Sequence, residues 1–306
     1  MIRLFLKYIN LVSISNFILK FYINFKYRFL KYSSPSNFWN DNLVDHPKGG
    51  YKSVSQSINH LNWRNNQYLN SIENMNFKNT HKKVVIDYGC GPGNDLINIL
   101  KDYTPKKLIG IDVSKKAISV AKERCKIHSF NVEFMEISEE KPLKIINQSI
   151  DVIKSNGVLH HLDNLSFILK EFQRVLKKDG IVNLMIYNRN SIWFHLHVAY
   201  ELKIKKKIFS KWTDEEVFKI STDGFNCPIS RCYTPETFRN ICNDNKFKCK
   251  FINSSISLFE MKKLNMIWEA LKSQKLSNDS RDFLNSLTFD NKGIPKYKGQ
   301  VAGINA

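Results

Sequence analysis

One run constrains this chain more than any other: Val84-Val85-Ile86-Asp87-Tyr88-Gly89-Cys90-Gly91-Pro92-Gly93-Asn94-Asp95, followed by the apolar stretch Leu96 to Leu100. A short β-branched strand (Val84 to Ile86) ends in an acid, turns through Gly89, Gly91 and Gly93, and enters a helix. Glycines there permit backbone angles and close approaches that a side chain would forbid. In an open α/β sheet, the crevice at the carboxyl end of such a strand is where ligands bind.

The charge of the ligand follows from the acids. A dinucleotide fingerprint reads G-x-G-x-x-G and seats a pyrophosphate on the helix N-terminus. Here the spacing is G-x-G-x-G, with Asn94 where the third glycine would fall. Asp87 closes the strand and Asp95 lies in the first helical turn. Two carboxylates around the turn repel a pyrophosphate and suit a ligand carrying positive charge, such as a sulfonium with an α-ammonium group. Leu108-Ile109-Gly110-Ile111-Asp112 is a second buried strand ending in an acid, placed where a carboxylate takes ribose hydroxyls.

VVIDYGCGPG, LIGIDVS, SIDVIKSNGVLHHL and EFQRVLKKDGIVNLMIYN, in this order, resemble the class I S-adenosylmethionine-dependent methyltransferases, with a methyltransferase type 11-like domain. The likeness covers about residues 80 to 190. Flanking pieces, Phe38-Trp39-Asn40, Tyr187 to Ser191 and Thr222-Asp223-Gly224, look like a bacterial branch of that family. The resemblance implies a Rossmann-like, doubly wound, seven-stranded α/β sheet that binds S-adenosyl-L-methionine. By the same likeness, Asp87 and the backbone of Gly89, Cys90, Gly91 and Gly93 would hold the methionine moiety. Asp112, followed by Val113, would take the ribose, Glu136 and Ile137 would flank the adenine, and Asn156 would meet the amino-acid end. Ile137 is bulkier than the alanine usual at its position in the family.

With 42% hydrophobic and 25% charged residues in 306, the chain reads as globular and long enough to bury a sizeable core. Its net charge of +19 invites a nucleic-acid or membrane partner. The abundance of Lys, Asn, Ile, Phe and Tyr is also what A/T-rich coding produces, so the charge is read first as composition. Cys90, Cys125, Cys227, Cys232, Cys242 and Cys249 form no C-x-x-C pair, which points to reduced thiols in a cytoplasmic enzyme and to no zinc framework.

Along the chain, residues 1–79 read as an N-terminal helical extension or cap. Residues 1–31 are basic, aromatic-rich and free of acids, which suits packing on the catalytic domain or peripheral contact with a membrane. Polar interruptions argue against a spanning helix, and no cleavage-like site argues for a signal peptide. Residues 33–52 read as an irregular linker and Val54 to Glu73 as helix. Residues 80–190 alternate strand and helix: strands near Val84–Ile86, Leu108–Asp112, Val132–Met135, Ile150–Lys154 and Ile181–Tyr187. Residues 191–306 read as substrate-side helical insertions, with a sixth strand at Phe247–Ile256 and a last one at Gly299–Asn305.

His160, His161 and Tyr187 are the catalytic candidates. The histidines leave the fourth strand beside the crevice, and a histidine can accept a hydroxyl proton near neutrality. His160 is preferred because it lies nearer the strand end. Asp223 and Tyr233 come from an insertion and are placed to line the acceptor pocket, while Arg64 reads first as a surface arginine and, by the likeness to the family, as one within reach of the methionine carboxylate. His195 and His197 stand at i, i+2 on a helix, which turns them apart, so no metal site is expected. The reading is an S-adenosylmethionine-dependent methyltransferase for a small molecule or a glycan or lipid-linked intermediate, by O- or N-methylation. The alternatives are an RNA methyltransferase, which the absence of any RNA-binding motif disfavours, and a non-catalytic binding module. Oligomeric state is not readable.

Overall fold

The computed structural model describes residues 35–306 except Lys48. The expectation for residues 1–31 lies outside the described residues. The linker expected at 33–52 contains a short helix, α1 (Pro35–Asp41). Asn40 explains its position: its Oδ1 accepts from the Ser114 hydroxyl at 2.8 Å and from the Lys116 amide at 3.2 Å. Next come α2 (Val54–Asn65), capped by Ser53, a two-residue strand β1 (Tyr68–Leu69) and α3 (Ser71–Met75). The single helix expected over Val54 to Glu73 is therefore broken. Asn70 and Asn76 adopt left-handed backbone angles, which asparagine tolerates and a continuing helix does not.

The central sheet is parallel. Its strands are β2 (Val84–Tyr88), β3 (Lys107–Asp112), β4 (Glu133–Glu136), β5 (Ile150–Asn156) and β6 (Leu176–Met185), in the spatial order β4-β3-β2-β5-β6. Helices α4 (Asn94–Asp102), α5 (Lys115–Ile127) and α6 (Leu165–Val175) cross between them. Successive strand residues face opposite sides. Ile86 and Ile153 pack with Leu169 and Phe172 of α6, whereas Val85 and Val152 pack with Leu96 and Ile97 of α4. A parallel sheet covered on both faces follows.

Seven strands were expected, and the central sheet has five. β6 begins at Leu176, opposite Ile150, and residues 177–180 bulge out before Ile181 meets Val152. The helix before it thus stops at Val175 and not at Asp179-Gly180. The expected sixth strand reduces to β7 (Ile256–Ser257), which pairs with β1 outside the central sheet. The expected last strand splits: Gln300–Val301 joins a small antiparallel sheet with Leu287–Phe289 and Pro295–Tyr297, and Asn305 makes isolated bridges to Tyr187 and Ser255. The edge of the sheet is thereby continued by single bridges, through Ile186–Ala306 amide–carbonyl pairs of 2.8 and 2.9 Å.

Beyond β6 the insertion is a π-helix (Trp193–Lys205), then α7 (Asp214–Asp223) and α8 (Pro235–Asp244). His195 and His197 do face different partners there: the first meets Ser280 at 3.1 Å and stacks on Phe283, the second meets Glu201 at 2.6 Å. Among the described residues no helix is long and apolar enough to cross a membrane.

Phe172 joins α6 to the site strand, its ring edge-to-face with Tyr88 at 5.0 Å and fully buried. Phe172→Ala is expected to cost about 3–5 kcal/mol of stability. Urea unfolding should show this as a lower midpoint at unchanged slope.

Candidate active site

The carboxyl ends of β2, β3 and β5 open onto a cavity of about 1030 Å³. Asp87, Asp95 and Asp112 line it while only 2%, 5% and 8% exposed. The turn between them needs glycine for two different reasons. At Gly89, φ +75°, an added Cβ would stand 2.3 Å from Val158 Cγ2. At Gly91, φ +51°, a Cβ would meet nothing within 4 Å, so the backbone itself faces open space.

Asp112 closes the turn. Its Oδ2 accepts from the Gly91 amide and its Oδ1 from the Ser114 amide, both at 2.8 Å. Burial pushes its carboxyl up in spite of these bonds. Asn156, at the end of β5, donates to Asp95 Oδ2 at 3.0 Å. Burial, and then the charges of Asp95 and Asp112, hold Asp87 well above the usual carboxylate range. Asp87 Oδ2 and Asp95 Oδ1 are buried without a hydrogen-bond partner. A buried acceptor left unmade is costly; Asp95 Oδ1 has only the Arg64 guanidinium at 3.7 Å, and Asp87 Oδ2 calls for a donor from outside. An ammonium group and a sulfonium match that set, and Asp112 stands where hydroxyls would meet it. The site therefore fits the cofactor named above.

Arg64 is not an isolated surface arginine. Its Nε donates to Asp45 at 3.0 Å and its guanidinium lies 3.7 Å from Asp95. Cys90 is buried with its thiol pushed up, consistent with a contribution through backbone only. Val113 and Ile137 line the cavity, the Ile137 amide donating to the Asp112 carbonyl at 3.0 Å. Glu136 does not join them: it is exposed and pairs with Lys115 at 3.7 Å. Glu139 lines the cavity instead, its carboxyl pushed up to about 7 by burial.

The two histidines separate. His160 is wholly buried behind Tyr187, stacked on its ring at 3.7 Å. Its Nδ1 accepts from the Tyr187 amide at 3.2 Å, and burial drives its pKa well below the ordinary value. His161 lines the cavity, with Trp39 edge-on at 4.8 Å. Its Nδ1 lies 2.7 Å from the Ile229 carbonyl and therefore carries the proton. Nε2 is left with a lone pair 3.7 Å from Asp223 Oδ1. Asp223 also accepts from the Tyr187 hydroxyl at 2.9 Å and from Ser230 at 2.6 Å. His161, Asp223 and Cys227 hold potential ligand atoms within 4.8 Å of one another. The bonds already described use them as a hydrogen-bonded cluster: Nδ1 serves Ile229, and the Cys227 thiol donates to the same carbonyl at 3.1 Å.

Sequence reading missed Trp39 and Glu139 as lining residues, and Asp223 as the partner of both His161 and Tyr187. Phe38-Trp39-Asn40 carried a signal through its likeness to the family, whereas nothing local distinguishes Glu139 from neighbouring surface acids.

The profile of the family described as "Methyltransferase domain" matches residues 79–290. The chain belongs to that family, the class I S-adenosylmethionine-dependent methyltransferases, and S-adenosylmethionine is its cofactor. A ubiquinone biosynthesis O-methyltransferase from Pelagibacter ubique is 28% identical over 165 residues, 52% of this chain and 63% of that protein. A second protein of that name, from Glaesserella parasuis, is 25% identical over 213 residues, 67% of this chain and 79% of its own. A malonyl-[acyl-carrier protein] O-methyltransferase from Halalkalibacterium halodurans is 26% identical over 40% of this chain and 46% of its own. The chain thus spans less than two thirds of the first and third of these relatives. A solved S-adenosylmethionine-dependent methyltransferase from Aquifex aeolicus aligns with a TM-score of 0.48 at 17% identity, over 73% of this chain and 93% of that one.

Asp112→Ala removes the acceptor that closes the turn on Gly91 and Ser114. Its affinity for S-adenosylhomocysteine should fall at least about tenfold by calorimetry, with the far-ultraviolet circular dichroism unchanged.

Proposed function

We propose that this chain methylates a hydroxyl group on a small, largely apolar acceptor, with His161 as general base. His161 carries the reading: a neutral imidazole in the cavity wall, its tautomer fixed by Ile229 and its free nitrogen beside the Asp223 carboxylate. When bound, the cofactor supplies a methyl group on a sulfonium that already contains its leaving group. What is left to the protein is to orient the acceptor, exclude water and receive a proton.

Each task has a residue. Trp39, Tyr68, Tyr187 and Tyr233 give the wall aromatic surface that suits a ring or an alkyl chain. Burial and the Asp223 charge hold the Tyr187 phenol well above its ordinary pKa, so its hydroxyl stays protonated and donates to Asp223. Asp223 thereby keeps its oxygens aimed at the imidazole that gains charge. His160, preferred on sequence, supports Tyr187 from behind and serves as a positioning residue. On the cofactor side, Asp87, Asp95, Asn156 and the Gly89–Gly93 backbone hold the amino-acid end, and Asp112 the ribose. The relatives named as O-methyltransferases agree with a hydroxyl acceptor. An acceptor carried on a lipid suits the same wall, and the basic residues 1–31 would favour its approach from an anionic membrane surface.

Burial lowers the His161 pKa below its ordinary 6.5, against the opposing pull of Asp223. Because the base acts neutral, kcat/KM should be flat at neutral pH and fall only as pH drops below that value. Asp223→Asn removes the group that raises the pKa, so the acid limb should move to still lower pH while the rate falls. His161→Ala should lower kcat by about a hundredfold or more, with cofactor affinity retained. An unshifted pH profile in Asp223→Asn, or full activity in His161→Ala, would remove His161 from the chemistry.

A further inference from the structure

Arg124 takes no part in the site as described, yet it is 0% exposed, in the last turn of α5. Its Nε donates to Ser57 Oγ at 2.8 Å and a terminal nitrogen donates to the Ser57 carbonyl at 3.1 Å. The other terminal nitrogen donates to Asn94 Oδ1 at 2.7 Å and to the Pro92 carbonyl at 3.3 Å. The Tyr51 ring covers the guanidinium, 4.1 Å away. Every one of these acceptors is uncharged, and among the described residues no carboxylate pairs with it. A buried charge without a counterion is expensive for a fold to keep, and the carbonyl dipoles at the end of α5 offset only part of that cost. Packing alone would be served as well by an apolar side chain.

What the guanidinium joins suggests why it is kept. Pro92 and Asn94 are the far half of the glycine turn, Ser57 belongs to α2, and Tyr51 lies just before α2. Val44 and Asp45, a little earlier in the chain, line the cavity, and the Asn94 side-chain amide reaches the Asp45 carbonyl at 3.5 Å. Tyr51 is itself tied to His60 of α2 at 3.2 Å. Arg124 thus touches the turn through Pro92 and Asn94, α2 through Ser57, and the segment before α2 through Tyr51.

We propose that Arg124 is a positioning residue for cofactor binding, clamping the Pro92–Asn94 turn from behind against Ser57 of α2 and the Tyr51 ring. The inference rests on S-adenosylmethionine occupying this cavity. A planar fork with several fixed donors can hold these acceptors together, and a lysine reaches only some of them.

The test measures S-adenosylhomocysteine affinity by calorimetry and its release rate by stopped flow on the full chain. The parent is compared with Arg124→Met, Arg124→Lys, Ser57→Ala and Tyr51→Leu, and each is also melted without ligand. The expected result is a dissociation constant raised about thirtyfold in Arg124→Met and partly restored in Arg124→Lys. Ser57→Ala and Tyr51→Leu should show faster release at nearly unchanged melting temperature. Should Arg124→Met fail to fold, Arg124→Lys and Ser57→Ala carry the test. Unchanged affinity and release in those two variants, with lowered ligand-free melting, would reduce Arg124 to a packing role. A parent chain that fails to bind S-adenosylhomocysteine would instead overturn the cofactor assignment, and this inference with it.

Discussion

Three carboxylates buried around one turn set the conditions for everything else in this molecule. Asp87 is pushed up by burial and by its two acidic neighbours, so its folded pKa lies above its unfolded one. Such a group favours the fold when protonated, and that contribution is lost as pH rises through the folded value. Ionising Asp87 therefore works against the fold, an effect that the Arg64 guanidinium, 3.7 Å from Asp95, offsets in part. Lys154, opposite Asp87 on β5, relieves part of this, yet its ammonium is committed to the Met75 and Asn76 carbonyls and is itself pushed down to about 7 by burial. The remaining demand is for a positive ligand with donors. A sheet whose strands end in acids at one edge is a frame built around that demand.

The two halves of the cavity are made differently. The half with the three acids stands on strand ends, where register fixes distances: Gly89 and Cys90 amides both bond the Ile111 carbonyl, and Asp112 closes back on Gly91. The half with His161, proposed to take the acceptor, is assembled from elements distant in the chain. Trp39 comes from α1, His161 from the turn after β5, Tyr187 from just beyond β6 and Asp223 from the end of α7. Their bonds to one another hold the wall together, so the acceptor surface can change by insertion while the cofactor frame is kept.

That division also explains what was legible in the sequence. β2 and β3 were readable because buried parallel strands are near-continuous apolar runs, here closed by an acid, and β5 because Ile150, Val152 and Ile153 carry its core. The sixth and seventh strands were not, because Phe247 to Ser254 alternates apolar and basic residues without finding a partner strand, and Asn305 pairs through single bridges. The π-helix at Trp193–Lys205 was readable only as helical. Distance from the strand end favoured His160 over His161, but His160 is wholly buried under Tyr187, while His161 lines the cavity beside Asp223. Glu136 was placed by its likeness to the family, but β4 is an edge strand and its last side chain turns to solvent. Asp223 lies 62 residues from His161 in sequence, and no local pattern links them.

The central claim is that the buried acids select a cationic cofactor. Its most direct test is equilibrium titration of the full chain, and of Asp87→Asn, with S-adenosylmethionine and with NAD. The account predicts saturable binding of S-adenosylmethionine, none of NAD, and affinity at least about tenfold weaker in Asp87→Asn. Equal affinity in the two proteins, or a preference for NAD, would contradict it.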